Sequence, residues 1–600
     1  MLDEDFAWAA SNIPFLDFDD AAQGSSIVLA YYFRWRVFRK HLRRAQTGGR
    51  AEVQCCASTE CKVVSVESGW CAGNRNEAQC HHSQTETRPC VWAASAGRCT
   101  KGWAHQSAES PTCPQPPSAV READDAGWVV SEFEGDVAWA GMHNTIACSA
   151  EHHLREGRWL RNQSALDSYS RFWFGGGGEP RKYTFAAAAA MYERFLVTGD
   201  AALLVALYPQ LAEHFRKWVG EHASVEHGCA FGYADRDGQE HSIGGDGCRP
   251  LLQAALHAEA RALAFIATLA RDADGARAFA AAAVRWQRAL LSLWSPARGF
   301  FVTRAVPRPP STPVHSWSER QRRHARSLNA NGCPPSWPTG RLVSSRELQG
   351  LSSPFYYAAV PHSNVSAYAG AWARLFAADG FAAKWGPRTA ELSDTCYNFS
   401  TGHECTWNAP SWPFETAKTI TGALTFLHEY QDSLDPASKA APLDTQGLWT
   451  ILAQYAKAHT ASSAINSSAW LLKGTGTAWI GESLHPDTGV WWTRQRLYEA
   501  GRADRNRGHR YLHSTFVDLV LGALGVRPRA DGLLVVRPQI PADLGIRYFA
   551  LDGMRIHGRD VAVAFDQDGS RYSLGPGVHV LLDGDVVASG ALGERLEVRL

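Results

Sequence analysis

The sequence predicts a mainly α-helical fold, in which helical hairpins stack or close into a ring and a small antiparallel β unit follows. Two patterns predict it. From about Tyr183 onward, Ala- and Leu-rich stretches with apolar residues three and four apart alternate with loops rich in Gly, aromatic and acidic residues. After about Arg527, short alternating apolar runs are separated by Asp-Gly turns. A closed ring of hairpins would bury the apolar faces of the helices and leave a pocket at one end.

The first pattern marks the helices. Four amphipathic stretches lie between residues 185 and 294, and three more lie between residues 414 and 526. They read FAAAAAMYERFLVTGD, LVALYPQLAEHFRKWVGEHA, PLLQAALHAEARALAFIATLARD, GARAFAAAAVRWQRALLSLW, FETAKTITGALTFLHEYQD, TQGLWTILAQYAKAHTA and HSTFVDLVLGALGV. The second pattern, in runs such as GLLVVRPQIP and GVHVLLDGDVVASGAL, predicts a C-terminal antiparallel β-sandwich over residues 527–600.

A cysteine-rich segment interrupts the N-terminal part of the chain. Eight of the 14 Cys lie between about Arg50 and Pro117, where aliphatic residues are sparse. They are Cys55, Cys56, Cys61, Cys71, Cys80, Cys90, Cys99 and Cys113. This predicts a disulfide-stapled insert over residues 50–124, between a start of the helical domain at 1–49 and its main part at 125–526. A zinc site including His81 and His82 is the alternative, although the spacings form no pair of CxxC motifs.

Composition excludes several classes of partner. Lys plus Arg and Asp plus Glu number 60 each, so no global charge favours nucleic acid or an anionic membrane. No window approaches the roughly 18 apolar residues of a membrane span, and no signal-peptide core follows Met1. Four N-x-S sequons, at Asn162, Asn364, Asn398 and Asn466, and the Cys-rich insert favour a secretory route. The missing signal-peptide core argues against that route, so the compartment stays open. The 23 Trp and 17 Tyr favour sugar binding, because flat aromatic faces pack against sugar rings.

The segment YADRDGQEHSIGGDG, residues 233–247, carries four acids where neither a helix nor a regular strand can form. They are Asp235, Asp237, Glu240 and Asp246. Crowded carboxylates repel one another, which costs stability unless the site uses them. A solvated loop with one capping acid is the alternative interpretation. A like charge nearby also helps to keep one carboxyl protonated near neutral pH, as a proton donor must be.

A second acid, Glu482, lies in WIGESLHPDTG between Gly481 and a Pro-Asp-Thr-Gly turn. Glycoside hydrolysis needs one protonated carboxyl for the leaving oxygen and one ionised carboxylate that activates water or attacks the sugar. Glu482 and one acid of the 233–247 loop would form that pair across a ring of helices. The alternative is that Glu482 caps its turn or pairs with Arg494.

A third stretch, GHECTWNAPSWPFETAKT, places rigid indoles beside an amide, as a sugar subsite requires. A tryptophan-lined corner of the core is the alternative. Upstream, His152 and His153 are consecutive and would point to different faces of a helix, so we predict no metal site there, and Cys148 is predicted to be a structural thiol. The residues predicted to bind sugar are Trp139, His143, Trp159, Asp235, Glu240, Arg249, Trp407, Asn408, Trp412 and Trp479.

Seven motifs in order carry a family resemblance: ASNIPFLDFDD, YYFRWRVFRKHL, EGRWL, RELQGLSSPFYYAAVP, HECTWNAPSWPF, IGESLHPDTG and HSTFVDLVLGALGVRPRADG. Together they resemble the mannosylglycerate-hydrolase-like and trehalase-like glycosidases of the six-hairpin (α/α)6 superfamily, which includes glycoside hydrolase family 63. The resemblance runs to about Arg529 and skips the Cys-rich insert. It implies an (α/α)6 toroid and an inverting hydrolase with an Asp acid and a Glu base, and it assigns the base to Glu482.

The acid motif departs from the family. Relatives carry a compact Glu-Ser-Gly-x-Asp segment, whereas EHSIGGDG displaces Ser242 and Gly244 and sets Asp246 two residues too far along. We rank Asp237 first as proton donor, because it lies in the tighter turn where burial could raise its pKa. Asp246 ranks second, ahead of Glu240 and Asp235.

These observations predict a glycosidase that acts on a small glycoside or an oligosaccharide end, without metal or organic cofactor. One alternative is a carbohydrate-binding protein that keeps the fold and has lost the donor, which the irregular SIGGDG segment leaves open. The other is a sugar epimerase or lyase, for which His143 or His241 would matter more than Glu482. The sequence leaves the oligomeric state, the sugar and the linkage open.

Overall fold

The computed structural model describes residues 2–19, 26–45, 52–57, 60–65, 90–93, 98–101, 127–135, 137, 140, 143–232, 237–240, 242–311, 338–399, 405–435, 443–460, 478–499 and 511–600. The chain forms two compact units, one of residues 1–43 with 128–600 and one of residues 44–127. The larger unit is rich in helices and carries small β-sheets, which confirms a mainly helical fold with a β component.

The helices are α1 (Leu2–Asn12), α2 (Ser26–His41), α3 (Ala147–Gly157), α4 (Ser164–Phe174), α5 (Ala187–Thr198), α6 (Ala201–His222), α7 (Pro250–Leu269), α8 (Ala273–Leu291), α9 (Gln349–Tyr356), α10 (Ser366–Ala369), α11 (Ala373–Phe376), α12 (Pro413–Thr425), α13 (Thr445–Thr460), α14 (Trp492–Glu499) and α15 (Val517–Ala523). A π-helical turn, Phe426–Tyr430, continues α12. Short 3-10 helices cover His362–Asn364, Gly370–Trp372, Gln431–Ser433 and Ala542–Leu544.

Local chemistry sets several helix starts. Pro250 and Pro413 open α7 and α12, where the missing N–H of proline costs nothing. The Asp200 carboxylate accepts the N–H groups of Ala202 and Leu203 at the start of α6. The Asp272 carboxylate does the same for Gly275 at the start of α8.

Six helices of the described part of the chain contact one another in a closed order. Helix α3 contacts α5, α5 contacts α7, α7 contacts α9, α9 contacts α12, α12 contacts α15, and α15 contacts α3. Helices α9, α12 and α15 are buried along their entire length, whereas α8 buries only one side. Helices α2, α4, α6, α8 and α13 pack against members of this ring or against one another. Helices that are buried on all sides are typical of an inner layer, and amphipathic helices that bury one side are typical of an outer layer packed against it.

A buried glutamate joins the first and last helices of the ring. The Glu156 carboxylate, at the end of α3, accepts the backbone N–H groups of Phe516, Val517 and Asp518 at 3.0–3.2 Å. These N–H groups begin α15 and have no partner within that helix, so a carboxylate satisfies them and complements the helix dipole. The guanidinium of Arg34 lies 3.7 Å away and balances the charge.

Glu259, on α7, makes stability depend on pH. Burial raises the pKa of Glu259 to about 8, although its carboxyl group accepts the N–H of Ala188 at 2.7 Å. The folded protein therefore binds more protons than the unfolded chain between about pH 4.3 and pH 8, and the free energy of unfolding falls as pH rises through this window. Glu259→Gln is expected to remove up to about 1.4 kcal/mol per pH unit of that slope.

Urea unfolding measured from pH 5 to pH 8 tests this expectation. The control is Glu226→Gln, because the Glu226 side chain is 83% exposed. Parallel profiles for wild type and Glu259→Gln would contradict it.

The strands are β1 (Phe15–Phe18), β2 (Leu42–Arg44), β3 (Glu52–Ala57), β4 (Glu60–Ser65), β5 (Cys90–Ala93), β6 (Arg98–Lys101), β7 (Trp128–Val130), β8 (Ala223–Ser224), β9 (Cys229–Gly232), β10 (Gly247–Cys248), β11 (Trp294–Ser295), β12 (Phe300–Phe301), β13 (Val526–Pro528), β14 (Leu533–Val536), β15 (Tyr548–Ile556), β16 (Arg559–Asp566), β17 (Gly577–Leu582), β18 (Asp585–Gly590) and β19 (Leu596–Arg599). Two antiparallel sheets hold the C-terminal strands, in the orders β1-β15-β16-β17-β18 and β13-β14-β19. Asp583 and Gly584, both at positive φ, make the tight turn between β17 and β18.

The first strand of the larger sheet comes from the N-terminal end of the chain. Strand β1 pairs with β15 from Phe15 opposite Asp552 to Phe18 opposite Phe549. The Asp17 carboxylate pairs with Arg571, and Asp19 pairs with Arg547. Residues 1–49, predicted to begin the helical domain, thus contribute helices and also a strand of this sheet.

The smaller unit, residues 44–127, contains two antiparallel hairpins, β3–β4 and β5–β6. In the first hairpin Cys56 lies opposite Cys61. The disulfide and zinc hypotheses for this insert concern side chains that lie outside the described residues. No helix in the described ranges combines the length and the apolar character that crossing a membrane requires.

Candidate active site

A buried ion pair organises the acidic loop that precedes α7. Arg249, just before the first residue of α7, donates from Nε to the Asp237 carboxylate, and neither side chain has any exposed surface. Its other nitrogens donate to Ser242 Oγ at 2.8 Å, to the Gly245 carbonyl at 2.7 Å and to Gln239 Oε1 at 3.2 Å. The loop thus folds around one guanidinium, whose five N–H donors suit several acceptors at once.

Asp237, the acid ranked first as proton donor, is fully buried and its pKa is raised. Burial raises the pKa of Asp237 to about 6, against the opposing effect of Arg249. This value suits a general acid near neutral pH. The carboxyl group is enclosed, however, and its Oδ1 atom has no hydrogen-bond partner among the described residues. In this structure Asp237 anchors the loop on Arg249, and its role as proton donor stays a prediction.

Glu240, three residues further along the loop, is half-buried. Its carboxylate Oε2 accepts the indole N–H of Trp407 at 3.2 Å, and its backbone carbonyl accepts the backbone N–H of Trp407 at 3.0 Å. Trp407 stacks on Trp412 with ring centroids 4.1 Å apart and planes inclined by 14°. One hydrogen bond from the Trp407 indole to the carboxylate and one from the Trp407 backbone to the Glu240 carbonyl fix the position of Glu240 beside the stacked indoles.

Glu482 is also half-buried and approaches the same aromatic loop. Both of its carboxylate oxygens lie 3.7 Å from Cys405 Sγ, two residues before Trp407. Ser411 and Leu484 exchange both backbone hydrogen bonds at 2.8 Å, which ties the segment of Glu482 to this loop. The loop 405–412, which leads into α12, therefore contacts Glu240 at one residue and Glu482 at another.

Most of the other residues predicted to bind sugar are buried near the two carboxylates or beneath the acidic loop. Trp407, Asn408 and Trp412 belong to the loop between the two carboxylates, but each is only 3–4% exposed, so they support the site more than they present faces to a ligand. Trp479, 3% exposed, is anchored by a hydrogen bond from its backbone N–H to the His459 carbonyl. Arg249 lies beneath the loop, as described above.

The remaining predicted residues lie apart from this arrangement or outside the described ranges. Asp246 is exposed on the acidic loop. The Trp159 indole donates to Asp518 at 2.7 Å, near the end of α3. His143 packs edge-on against Phe172, with ring centroids 5.0 Å apart. Trp139, Asp235 and His241 lie outside the described residues.

Sequence reasoning missed a buried polar network behind the loop. On α12, Glu415 accepts hydrogen bonds from Ser352 and from Gln239, the latter at 3.2 Å, and burial raises its pKa. The Lys418 ammonium, three residues on, lies 5.0–5.3 Å from the ring centroids of three aromatic side chains: Phe414, Tyr356 and Tyr357. The signal was present in FETAKT, where two charges share one face of a helix that is otherwise apolar or small. Over the described ranges, no group of three or more His, Cys, Asp or Glu side chains is arranged to hold a metal ion.

A disulfide closes the base of the acidic loop. Cys229 on β9 is bonded to Cys248 on β10, and these strands pair with Gly247 opposite Gly232. Residues 233–246, which include Asp237 and Glu240, lie between the paired strands. The disulfide thus limits the movement of the loop that carries the candidate acids.

Changing both cysteines to serine is expected to lower the free energy of unfolding by about 3 kcal/mol, because a loop of this length gains that much chain entropy in the unfolded state. Hydrolysis is expected to slow as well, since the loop becomes less fixed. Urea unfolding and a glycosidase assay measure the two effects. The control is wild type incubated with reductant under native conditions. Both sulfurs belong to buried residues, so reductant is expected to leave this disulfide intact. A double variant as stable and active as wild type would contradict the expectation.

Comparison with known proteins assigns the family. The profile of the mannosylglycerate hydrolase MGH1-like glycoside hydrolase domain matches residues 142–514, more than half of the chain. The chain belongs to this family. The matched range contains both Glu240 and Glu482, so the loop described above lies within the MGH1-like domain. A search of the curated proteins finds no match.

A solved structure resembles this MGH1-like chain in fold, and two others match it more weakly. A structure named sialidase has a TM-score of 0.71 at 22% identity, covering all of this chain and 42% of that one. The chain therefore spans less than half the length of that protein. A mannosylglycerate hydrolase of family GH63 from Thermus thermophilus, in complex with glucose, has a TM-score of 0.37 at 12% identity and covers 58% of this chain and 91% of that one. A GH78 rhamnosidase of a Bacillus species has a TM-score of 0.40 at 12% identity over 70% of this chain and 36% of that one.

Proposed function

We propose that this MGH1-like chain is an inverting O-glycosidase that hydrolyses a small glycoside or the end of an oligosaccharide. One observation carries the proposal: Glu240 and Glu482, both half-buried, contact the same rigid aromatic loop, Glu240 through Trp407 and Glu482 through Cys405. Two carboxyl groups held at fixed positions on either side of the glycosidic bond are what glycoside hydrolysis requires. Membership of a glycoside hydrolase family supports the same reaction class.

In the proposed mechanism Glu482 is the general base and Glu240 the general acid. Glu482 removes a proton from a water molecule as that water attacks the anomeric carbon, and Glu240 gives its proton to the departing glycosidic oxygen. The indole N–H of Trp407 holds the Glu240 carboxyl group in position. Glu240 is half-buried, whereas the Asp237 side chain has no exposed surface, so a substrate can reach Glu240 more readily. Asp237 and Arg249 act as positioning residues for this loop.

The closed order of helix contacts supports an (α/α)6 toroid as the scaffold of this mechanism. Helices α3, α5, α7, α9, α12 and α15 form the proposed inner layer. Arg249 and Trp412 directly precede α7 and α12, so the acidic loop and the aromatic loop meet at the N-terminal ends of inner helices. Residues 125–526 are the proposed catalytic domain, with the insert 50–124 and the β-sandwich 527–600 as additions. Loops that surround a pocket at one end of such a ring favour release of terminal sugars.

Hydrolysis of aryl α- and β-glycosides and short disaccharides tests the proposed function. We expect turnover on at least one substrate by wild type, with loss of that turnover in Glu482→Gln. For an oligosaccharide labelled at one end, we expect release of single terminal sugars. Sugar binding without turnover across the panel would overturn the proposal in favour of a carbohydrate-binding protein.

A further inference from the structure

The thiol of Cys405 lies beside the carboxylate of Glu482. Cys405 Sγ is 3.7 Å from Glu482 Oε1 and 3.7 Å from Glu482 Oε2, so the sulfur is equally close to both oxygens. Cys405 is not part of a disulfide, and both residues are half-buried. A cysteine S–H group is a weak hydrogen-bond donor, and on this sulfur it can reach either carboxylate oxygen.

The segment around Cys405 is held rigidly. Its side chain packs against the aromatic cluster of Trp407, Trp412 and Phe414. The Trp412 indole donates at 2.8 Å to the carbonyl of Thr406, the residue that follows Cys405, and Thr406 is fully buried. The sulfur therefore has a fixed place on the aromatic loop.

The proton shared by this pair belongs on the sulfur. An ordinary cysteine thiol has a pKa of about 8.5 and an ordinary glutamate has a pKa of about 4.3, so at neutral pH the thiol is protonated and the carboxyl group is ionised. A thiolate facing the carboxylate would place two like charges side by side, which also favours the neutral thiol. An ionised carboxylate only accepts hydrogen bonds, so Cys405 is the donor and Glu482 is the acceptor.

The direction of this hydrogen bond matters for the role of Glu482. A hydrogen bond to the ionised form of a carboxyl group favours that form over the protonated one. A general base must be ionised to accept a proton, whereas a general acid must be protonated to donate one. Donation from Cys405 therefore suits a base at position 482.

We propose that Cys405 is a positioning residue for the reaction, whose S–H group orients the Glu482 carboxylate and favours its ionised form. The inference rests on the proposed function, in which Glu482 activates water. The thiol keeps its proton throughout the reaction, so it acts only through Glu482.

The pH dependence of hydrolysis in Cys405→Ala tests the inference. The acidic limb of the profile for kcat reports ionisation of the base, and we expect it to move to higher pH by about 0.5–1 unit when the donor is lost. At a pH on that limb, kcat is expected to fall about three- to tenfold. KM is expected to change little, because the thiol acts through a group that contacts the attacking water. Cys405→Ser keeps a donor on the same Cβ and is expected to return the limb close to its wild-type position.

Cys148→Ala is the matched control, because the Cys148 thiol packs against the same aromatic cluster as Cys405. We expect the acidic limb of this variant to coincide with that of wild type. An unchanged acidic limb in Cys405→Ala would overturn the inference. Equal shifts in the two alanine variants would overturn it as well, since the effect would then come from the packing of the cluster. A serine variant that behaves like Cys405→Ala would have the same meaning.

Infrared spectroscopy of the S–H stretching band tests the hydrogen bond without any need for turnover. This band absorbs where other protein groups do not, and the difference between wild type and Cys405→Ala isolates the band of this thiol. Because stronger donation lowers the frequency, we expect the band to rise in frequency in Glu482→Gln and on acidification. A band that stays at one frequency would overturn the inference even if hydrolysis depended on Glu482 as proposed. Failure of the proposed function would appear separately, as absence of turnover by wild type.

Discussion

Glu482→Gln is expected to lower kcat for glycoside hydrolysis by about 10²- to 10⁴-fold, because the amide cannot take a proton from the attacking water. The amide has nearly the same size and can keep the contact of Cys405 with the side chain. KM is therefore expected to change little. Steady-state kinetics on the best substrate of the panel, with circular dichroism to verify folding, measure the effect.

Asp487→Asn is the matched control for this variant. Asp487 lies in the same segment, pairs with Arg388 at 2.5 Å and has a side chain that is 49% exposed. We expect it to retain most of its activity. If both variants were equally active, Glu482 would not be the base.

Glu240→Gln is expected to lower kcat by about 10²- to 10⁴-fold for substrates with a poor leaving group, and far less for dinitrophenyl glycosides. Such aryl leaving groups depart without protonation, so only a proton donor shows this dependence. The basic limb of the pH–rate profile is also expected to disappear, because that limb reports ionisation of the donor. Kinetics on paired alkyl and dinitrophenyl substrates measure both effects.

Asp237→Asn distinguishes the donor from the residue that positions it. This change removes the carboxylate that pairs directly with Arg249 and leaves Glu347, 3.9 Å away, as its remaining ion-pair partner. Breaking a buried pair typically costs about 3–5 kcal/mol of stability. We expect lower activity on good and poor leaving groups alike, together with easier unfolding in urea. Asp246→Asn, exposed on the same loop, is the control. If the leaving-group dependence appeared in Asp237→Asn and not in Glu240→Gln, the donor would be Asp237.

The helices were predictable because their signal is local. The apolar spacing and Pro250 predicted a helix that the structure starts at that residue, and the Asp583–Gly584 turn was readable from two letters. Strand β1 was not predictable, since it has four residues and its partner β15 lies more than 500 residues further along the chain. A short alternating run carries little information until its partner is known.

The ranking of the loop acids could not be derived from sequence for a different reason. A glycine-broken loop has no periodicity, so nothing in the order of Asp237, Glu240 and Asp246 says which one faces inward. Which acid is buried depends on Arg249, because its guanidinium pairs with Asp237 in the interior. Glu240 lies beside Trp407 instead. The aromatic loop was recognised from sequence, but the stacking of Trp407 on Trp412, which buries both rings, needed the structure.

The configuration of the first product tests the central claim most directly. Proton NMR of the released sugar during the first minutes of hydrolysis, before mutarotation, shows which anomer forms. If Glu482 activates water while Glu240 protonates the leaving group, the first sugar carries the configuration opposite to that of the substrate. A first product of retained configuration would show that a carboxylate attacks the sugar itself, and the assignment of Glu482 as a general base would be contradicted.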